Sequence, residues 1–228
     1  MENQMEQLKV TALYRYPEHS IAFPLLSRFE YPWEALASIS DFILEIGARL
    51  PEAEYDRIGE NVWIAKSAKV APNAYIGGPC IICARAEVRH CAFIRENAIV
   101  GEGAVVGNST ELKNCILFDG VEVPHYNYVG DSILGYKSHM GAGSITSNVK
   151  SDKKPVVITV GEQKIETGRK KVGAMLGDFV EVGCNSVLNP GTVIGEHSNV
   201  YPLSPVRGFV PANSIYKSRG CIVKKRED

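Results

Sequence analysis

The sequence predicts an all-β fold: a left-handed parallel β-helix of hexapeptide repeats with a short N-terminal helical cap. Three observations carry this. Nine aliphatic residues stand six positions apart: Ile64, Val70, Ile76, Ile82, Val88, Ile94, Val100, Val106 and Leu112. Neither a helix of period 3.6 nor a strand of period 2 repeats this way, whereas short flat strands coiled into a prism do. Four places after each aliphatic comes a small residue: Ala68, Ala74, Cys80, Ala86, Ala92, Ala98, Ala104 and Thr110. One bulky group per face and a small neighbour at each corner is what a prism needs. The double pattern then returns as Leu176, Val182, Leu188, Ile194, Val200 and Val206, with Val180, Ser186, Thr192, Ser198 and Ser204 in the small slot.

The elements follow in order. Residues 1–60 form an N-terminal segment whose first half is aromatic and proline-dotted without a clear period. Pro32-Trp33-Glu34 opens a helical pattern, because proline is pre-organised for the first helical position and glutamate suits an N-terminus. Trp33, Leu36, Ile39, Ile43, Ile46 and Leu50 share one face, and Pro51 ends the run. Such a helix is expected to cover the open end of the prism, where strand edges would otherwise be unpaired. The β-helix is expected over 61–211. Its register slackens between Leu112 and Leu134, where spacings of five appear, and vanishes over an excursion at 146–171. That excursion carries Lys150, Lys153, Lys154 and Pro155, then two β-rich runs about Gly161-Glu162 that read as a hairpin. A loop that leaves a rigid scaffold and returns in register is a natural carrier of binding groups. The tail, 212–228, contains Lys224-Lys225-Arg226, either a solvated end or a contact for an anionic ligand.

Composition narrows the function. The 228 residues suit one large domain, or one domain with an appendage. A net charge of −1 argues against a dedicated nucleic-acid binder. No apolar stretch approaches the ~20 residues of a membrane span, and the polar, acidic start is no secretory signal. The expected location is the cytoplasm. Cys80-x-x-Cys83 with Cys91 could be half a zinc site, but Cys80 occupies a small-residue slot filled elsewhere by alanine, and no second Cys-x-x-Cys exists. No metal is expected.

Two features could carry chemistry. If three six-residue faces make a coil, Arg95 and Lys113, eighteen apart, lie about one strand spacing (~4.8 Å) from each other on the same outer edge. Stacked like charges are unfavourable unless an anion such as phosphate bridges them; otherwise the two side chains splay into solvent. His125 sits just past the register break, where a groove can open, and is either structural or a proton acceptor near neutral pH.

The stretch Lys113–Asp131, with its His125-x-x-Tyr128, and Gly141-Ala-Gly143 followed by Asn148 resemble the acetyltransferase domain of bacterial glucosamine-1-phosphate N-acetyltransferases and their archaeal sugar-1-phosphate relatives. Gly168–Asp178 and Val187–Gly191 resemble the archaeal-type branch, and the likeness spans roughly 60–210. It implies transfer of an acetyl group from acetyl-CoA to a hexosamine-1-phosphate, a step toward UDP-N-acetylglucosamine, in a homotrimer with sites between subunits. It assigns His125 as general base, and Arg95 and Lys113 as the phosphate grip. Tyr128, His139, Asn148 and Lys154 would contact the sugar phosphate, and Ala142 and Cys184 the acetyl-CoA. Three positions depart from the family pattern: His139 replaces an asparagine, Val149 a tyrosine and Cys184 a serine. The nucleotidyltransferase domain that precedes this region in the family is not expected in residues 1–60, which hold no glycine-rich nucleotide loop.

Two rivals remain for comparison. A γ-type carbonic anhydrase uses the same prism but needs histidines five apart, and Gly130 stands where a partner of His125 would fall. A non-catalytic trimeric β-helix, serving as scaffold or ligand-binding module, fits the altered pocket residues. Turnover separates it from the enzyme.

Overall fold

The structure, a computed structural model, describes residues 4–218 and 220–226. Its body is a parallel β-helix with three faces. Partners on one face run Lys69, Glu87, Val105, Glu122, His139, Glu181, Asn199 and Ile215. Successive coils therefore measure 18, 18, 17, 17, 42, 18 and 16 residues. Five consecutive corners each place one residue in the left-handed region: Arg85, Cys91, Asn97, Gly103 and Ser109 all have φ between 54° and 64°. The small slot follows each of them, and Ala86, Ala98, Ala104 and Thr110 are fully buried. A larger side chain there would meet the coil's own interior, already filled to crystal-like density.

The slackened register has a local cause. Between Ile94 and Ala98 the corner holds Arg95, Glu96 and Asn97, whereas between Leu112 and Cys115 it holds only Lys113 and Asn114. One residue is lost at this corner in each 17-residue coil, and Asn114 and Asp131 take the left-handed turn (φ 50° and 48°).

One face is buried on both sides. Its strands read Cys80-Ile-Ile82, Ala98-Ile-Val100 and Cys115-Ile-Leu117, continuous apolar runs of the kind that two-sided burial demands. The inward Ile82, Val100 and Leu117 and the outward Ile81, Ile99 and Ile116 are all fully buried. What covers the outward row is the N-terminal segment. The helix Ile39–Gly47 lies across these strands, and Pro32–Ala37 packs on Tyr128–Leu134. The segment thus lies along the flank of the prism and not over its open end. It is also not one helix: Pro32–Ala37 is a 3₁₀ helix, and its Leu36 carbonyl accepts the Asn114 side-chain amide at 3.2 Å.

At each end one strand edge is covered by an antiparallel strand. Tyr55–Arg57 pairs with Val62–Ala65, and Cys221–Lys224 with Ser214–Ser218. Edges so paired no longer template association. The 42-residue coil contains an antiparallel hairpin, Val157–Val160 with Gln163–Glu166, tied at its base by a Val149–Lys171 bridge. Its buried Val156, Ile158 and Val160 pack beside Gly191 and Phe209–Val210, so the hairpin extends the cover of the flank of its own prism. Among the described residues no helix is long and apolar enough to cross a membrane.

Candidate active site

Two constellations lie around the shortened coils. The first is centred on Asp131, a residue only 2% exposed. Its carboxylate accepts the Lys113 ammonium at 3.3 Å, the Asn114 amide at 2.9 Å and the Asn148 amide at 2.6 Å. Asn148 Nδ2 also donates to the Tyr128 hydroxyl at 3.1 Å. Burial pushes the Tyr128 hydroxyl above the usual phenol range, with Asp131 and Glu111 adding to the shift and the Asn148 hydrogen bond opposing it. The tyrosine ring lies over Gly130, where an added Cβ would stand 2.3 Å from the hydroxyl oxygen, so any larger residue there would displace the Tyr128 ring. Lys113, Tyr128 and Asn148 are therefore brought together through a residue that the motifs did not single out.

The second constellation is a corner column. Asn108 pairs with His125, the Gly143 N–H donates to the His125 carbonyl at 3.0 Å, and the Asn185 N–H donates to the Ala142 carbonyl at 2.8 Å. His125, Ala142 and Cys184 thus occupy the same corner position on three successive coils. Gly141-Ala142-Gly143 has to be glycine-flanked: a Cβ at Gly141 would lie 2.7 Å from the Cys184 nitrogen, and one at Gly143 2.2 Å from Asn185 Oδ1. The His125 imidazole is exposed, and among the described residues it has no hydrogen-bond or ion-pair partner. The Ala142 N–H likewise meets no acceptor among them. Cys184 is exposed beside this pair.

The remaining candidates stand apart. Arg95 is exposed and engaged by Glu111 at 3.1 Å and Glu96 at 3.7 Å, and the Glu111 hydrogen bond raises its pKa further. The charges of Arg95 and Lys113 are therefore compensated separately, each by its own carboxylate. His139 lies in the middle of another face, with Nδ1 3.0 Å from Glu181 Oε2, and is not joined to the Asp131 network. Lys154 is exposed on the excursion, its backbone N–H held by Asp152 Oδ1 at 3.0 Å. Among the described residues no group of three or more His, Cys, Asp or Glu side chains could hold a metal ion. Cys80 is an interior packing residue, fully buried, and burial pushes its thiol well above the usual range.

A sequence model described as "GMPPB C-terminal domain" matches residues 76–208, more than half of the chain. The chain belongs to this family. It is 31% identical over 201 residues to the "Bifunctional protein GlmU" of Methanococcus maripaludis, covering 87% of this chain and 49% of that protein. It is also 35% identical over 109 residues to a "Bifunctional sugar-1-phosphate nucleotidylyltransferase/acetyltransferase" of Sulfurisphaera tokodaii, covering 48% of this chain and 27% of that protein. The first of these bears out the likeness to archaeal sugar-1-phosphate relatives read from the motifs, and the chain spans about half of its length. Among solved structures, the chain is similar to the acetyltransferase domain of PglB from Neisseria gonorrhoeae FA1090, with 16% identity, a TM-score of 0.40, and 77% of this chain and 63% of that chain covered.

In this GMPPB C-terminal domain family member two site residues escaped the motif reading. Asp131 is one. Asn127 is the other: it is 2% exposed and joins the two coils of the histidine corner. Its Oδ1 accepts the His125 N–H at 3.1 Å, and its Nδ2 donates to the Gly141 and Ser144 carbonyls at 2.9 and 3.0 Å. The signal was present. Asn127 occupies the interior slot that alanine, threonine or serine fills elsewhere, and a buried amide there must find partners.

Proposed function

We propose that this protein transfers an acetyl group from acetyl-CoA to the amine of a hexosamine-1-phosphate, glucosamine- or galactosamine-1-phosphate, with His125 as general base. The observation that carries this reading is the corner column. Among the described residues, an exposed imidazole without a hydrogen-bond partner stands one coil from a backbone N–H without an acceptor, and Cys184 follows one coil beyond that N–H. The sugar amine attacks the thioester carbonyl of acetyl-CoA while His125 accepts the ammonium proton, and the CoA thiolate leaves. The Ala142 N–H is placed to donate to the carbonyl oxygen as charge develops on it. Tyr128 and Asn148 hold the sugar, and His139 and Lys154, which stand apart from them on one chain, would border it across the interface between neighbouring prisms. Arg95 and Lys113 fix its phosphate, which takes over from Glu111 and Asp131 as their counter-charge and converts binding energy into alignment. No step in this route calls for a metal.

The reading includes a homotrimer with sites shared between neighbouring prisms. Exposed apolar residues on one face support it: Tyr75, Phe93 and Val187 share one register position and are 59, 43 and 37% exposed, and the corner residue Leu203 near their end is 76% exposed. Light scattering at micromolar concentration should return about three times the chain mass, and a monomeric mass would remove the shared sites.

Release of free thiol from acetyl-CoA is the decisive assay. It is expected with glucosamine-1-phosphate or galactosamine-1-phosphate and should fall at least about 100-fold in His125→Ala, the scale of a lost general base. If no amino-sugar phosphate supports turnover and none raises the melting temperature, the chain is a binding scaffold instead.

A further inference from the structure

A cleft of about 520 Å³ lies on the far side of the Lys113 corner, where three separate parts of the chain converge. Its floor is Asn97, Lys113, Asn114 and Asp131, its wall is the return of the excursion, Gly168–Lys171, and its rim is Leu36 and Ala37. Lys113, Arg169, Lys170 and Lys171 all face this space, and Asp131 is the one carboxylate among its lining residues. That carboxylate is already saturated by Lys113, Asn114 and Asn148. Arg169, Lys170 and Lys171 form no ion pair among the described residues. Arg169 Nε is buried and has no hydrogen-bond partner, a costly condition for a guanidinium.

The wall is built, not loose. Thr167 Oγ1 donates to the Val156 carbonyl at 2.7 Å and accepts the Arg169 N–H at 3.2 Å, and the Val156 N–H donates to the Arg169 carbonyl at 2.7 Å. One turn later the Val172 N–H donates to the Asn148 carbonyl at 3.0 Å, which ties the wall to the Tyr128–Asn148–Asp131 network. Holding three consecutive cations in a fixed turn beside a fourth raises the local positive potential, and only an anion relieves it.

We propose that this cleft binds a diphosphate anion, at a site that adjoins the sugar phosphate through Lys113. With Lys113 paired to Asp131, the three cations Arg169, Lys170 and Lys171 remain, more than one phosphate dianion neutralises and close to the charge of free pyrophosphate, and the guanidinium fork of Arg169 fits two oxygens of one phosphoryl group. The Asn148 amide, which touches both Tyr128 and Asp131, joins this cleft to the proposed sugar position. The anion site stands without the acetyltransferase reading, and only its closeness to the sugar phosphate rests on that reading.

Isothermal titration of the full chain at low salt tests it, with inorganic pyrophosphate and orthophosphate as probes. One saturable site per chain is expected for pyrophosphate, at least about tenfold tighter than for orthophosphate. Affinity should fall about tenfold or more in Lys170→Gln/Lys171→Gln, whose side chains are exposed and leave the fold intact, and again in Arg169→Gln. No saturable binding, equal affinity for the two anions, or unchanged affinity in the double variant would each overturn the proposal. Thiol release with a hexosamine-1-phosphate, measured on the same samples, keeps the two readings apart. Turnover without pyrophosphate binding removes the cleft alone, and pyrophosphate binding without turnover removes the acetyltransferase alone.

Discussion

Asn127 places one amide against groups from two successive coils: the His125 N–H on its own coil, and the Gly141 and Ser144 carbonyls on the next. Its backbone N–H is satisfied as well, by Thr110 Oγ1 at 3.3 Å. In a nearly dry interior each of these groups loses its water on folding, so removing the amide strands all of them at once. Asn127→Ala should therefore cost about 2–4 kcal/mol, well above the ordinary large-to-small change at so small a side chain. The measurement is the urea midpoint at constant slope. A loss under about 1 kcal/mol would mean that water replaces the amide and that the corner does not depend on it. Because Asn127 grips the chain on both sides of Ala142, the same variant should lower kcat for acetyl transfer more than it raises KM. His125→Ala, by contrast, should leave the urea midpoint nearly unchanged, since among the described residues its exposed imidazole makes no hydrogen bond or ion pair.

At the scale of elements the six-residue period made the coils, corners and small slots legible, because each is dictated by the chain's own neighbours six positions away. It also located the change from 18 to 17 residues per coil, since a missing corner residue shifts every later aliphatic by one. The covering of the flank was only half visible. The runs Cys80-Ile-Ile82 and Ala98-Ile-Val100 announce two-sided burial, but nothing local says which distant segment lies on them. This is why the helix at Ile39–Gly47 was expected at the end of the prism and is found along its side. The Asp131 hub was hidden for the same reason. A spacing of 17 or 18 puts Lys113, Asn114 and Asn148 near one carboxylate, yet it does not say which side chains turn toward it. The excursion hairpin, in turn, is held by few side chains. Ile158 is fully buried against its own prism, so Ile158→Ala should cost about 2–4 kcal/mol if the hairpin unfolds only with the body. If the hairpin opens on its own, the global midpoint stays put and amide exchange accelerates at 157–166 alone.

Across the whole molecule the N-terminal segment is fastened to the prism at one seam by a buried carboxylate. Asp178 is fully buried; its Oδ2 accepts the Arg15 N–H at 2.6 Å, its Oδ1 the Tyr136 N–H at 2.8 Å, and its own N–H donates to the Leu13 carbonyl at 3.0 Å. Burial nonetheless outweighs these hydrogen bonds and pushes the carboxyl up to about 6, with the nearby Glu196, ion-paired to Arg15 at 3.0 Å, adding to the rise. A second carboxylate on this seam, Asp119, lies 3.5 Å from His19 and is also raised by burial, with His19 opposing. A folded-state pKa above the unfolded value of 3.8 means that the native protein binds this proton more tightly. The stability that Asp178 contributes is then full below about pH 4 and lost as the pH rises through 6, amounting to about 3 kcal/mol in all. Between pH 5 and pH 7 the melting temperature should accordingly fall by several degrees, on the order of 5 °C, for a chain of this size. Asp178→Asn, which cannot titrate and keeps one of the two acceptors, should start lower at pH 5 and show a distinctly flatter profile. Scanning calorimetry of both proteins at pH 5, 6 and 7 reads this directly. Parallel profiles would show that the seam is held by its apolar and aromatic contacts, the stacked His19–Tyr136 pair among them, and not by the state of this carboxyl.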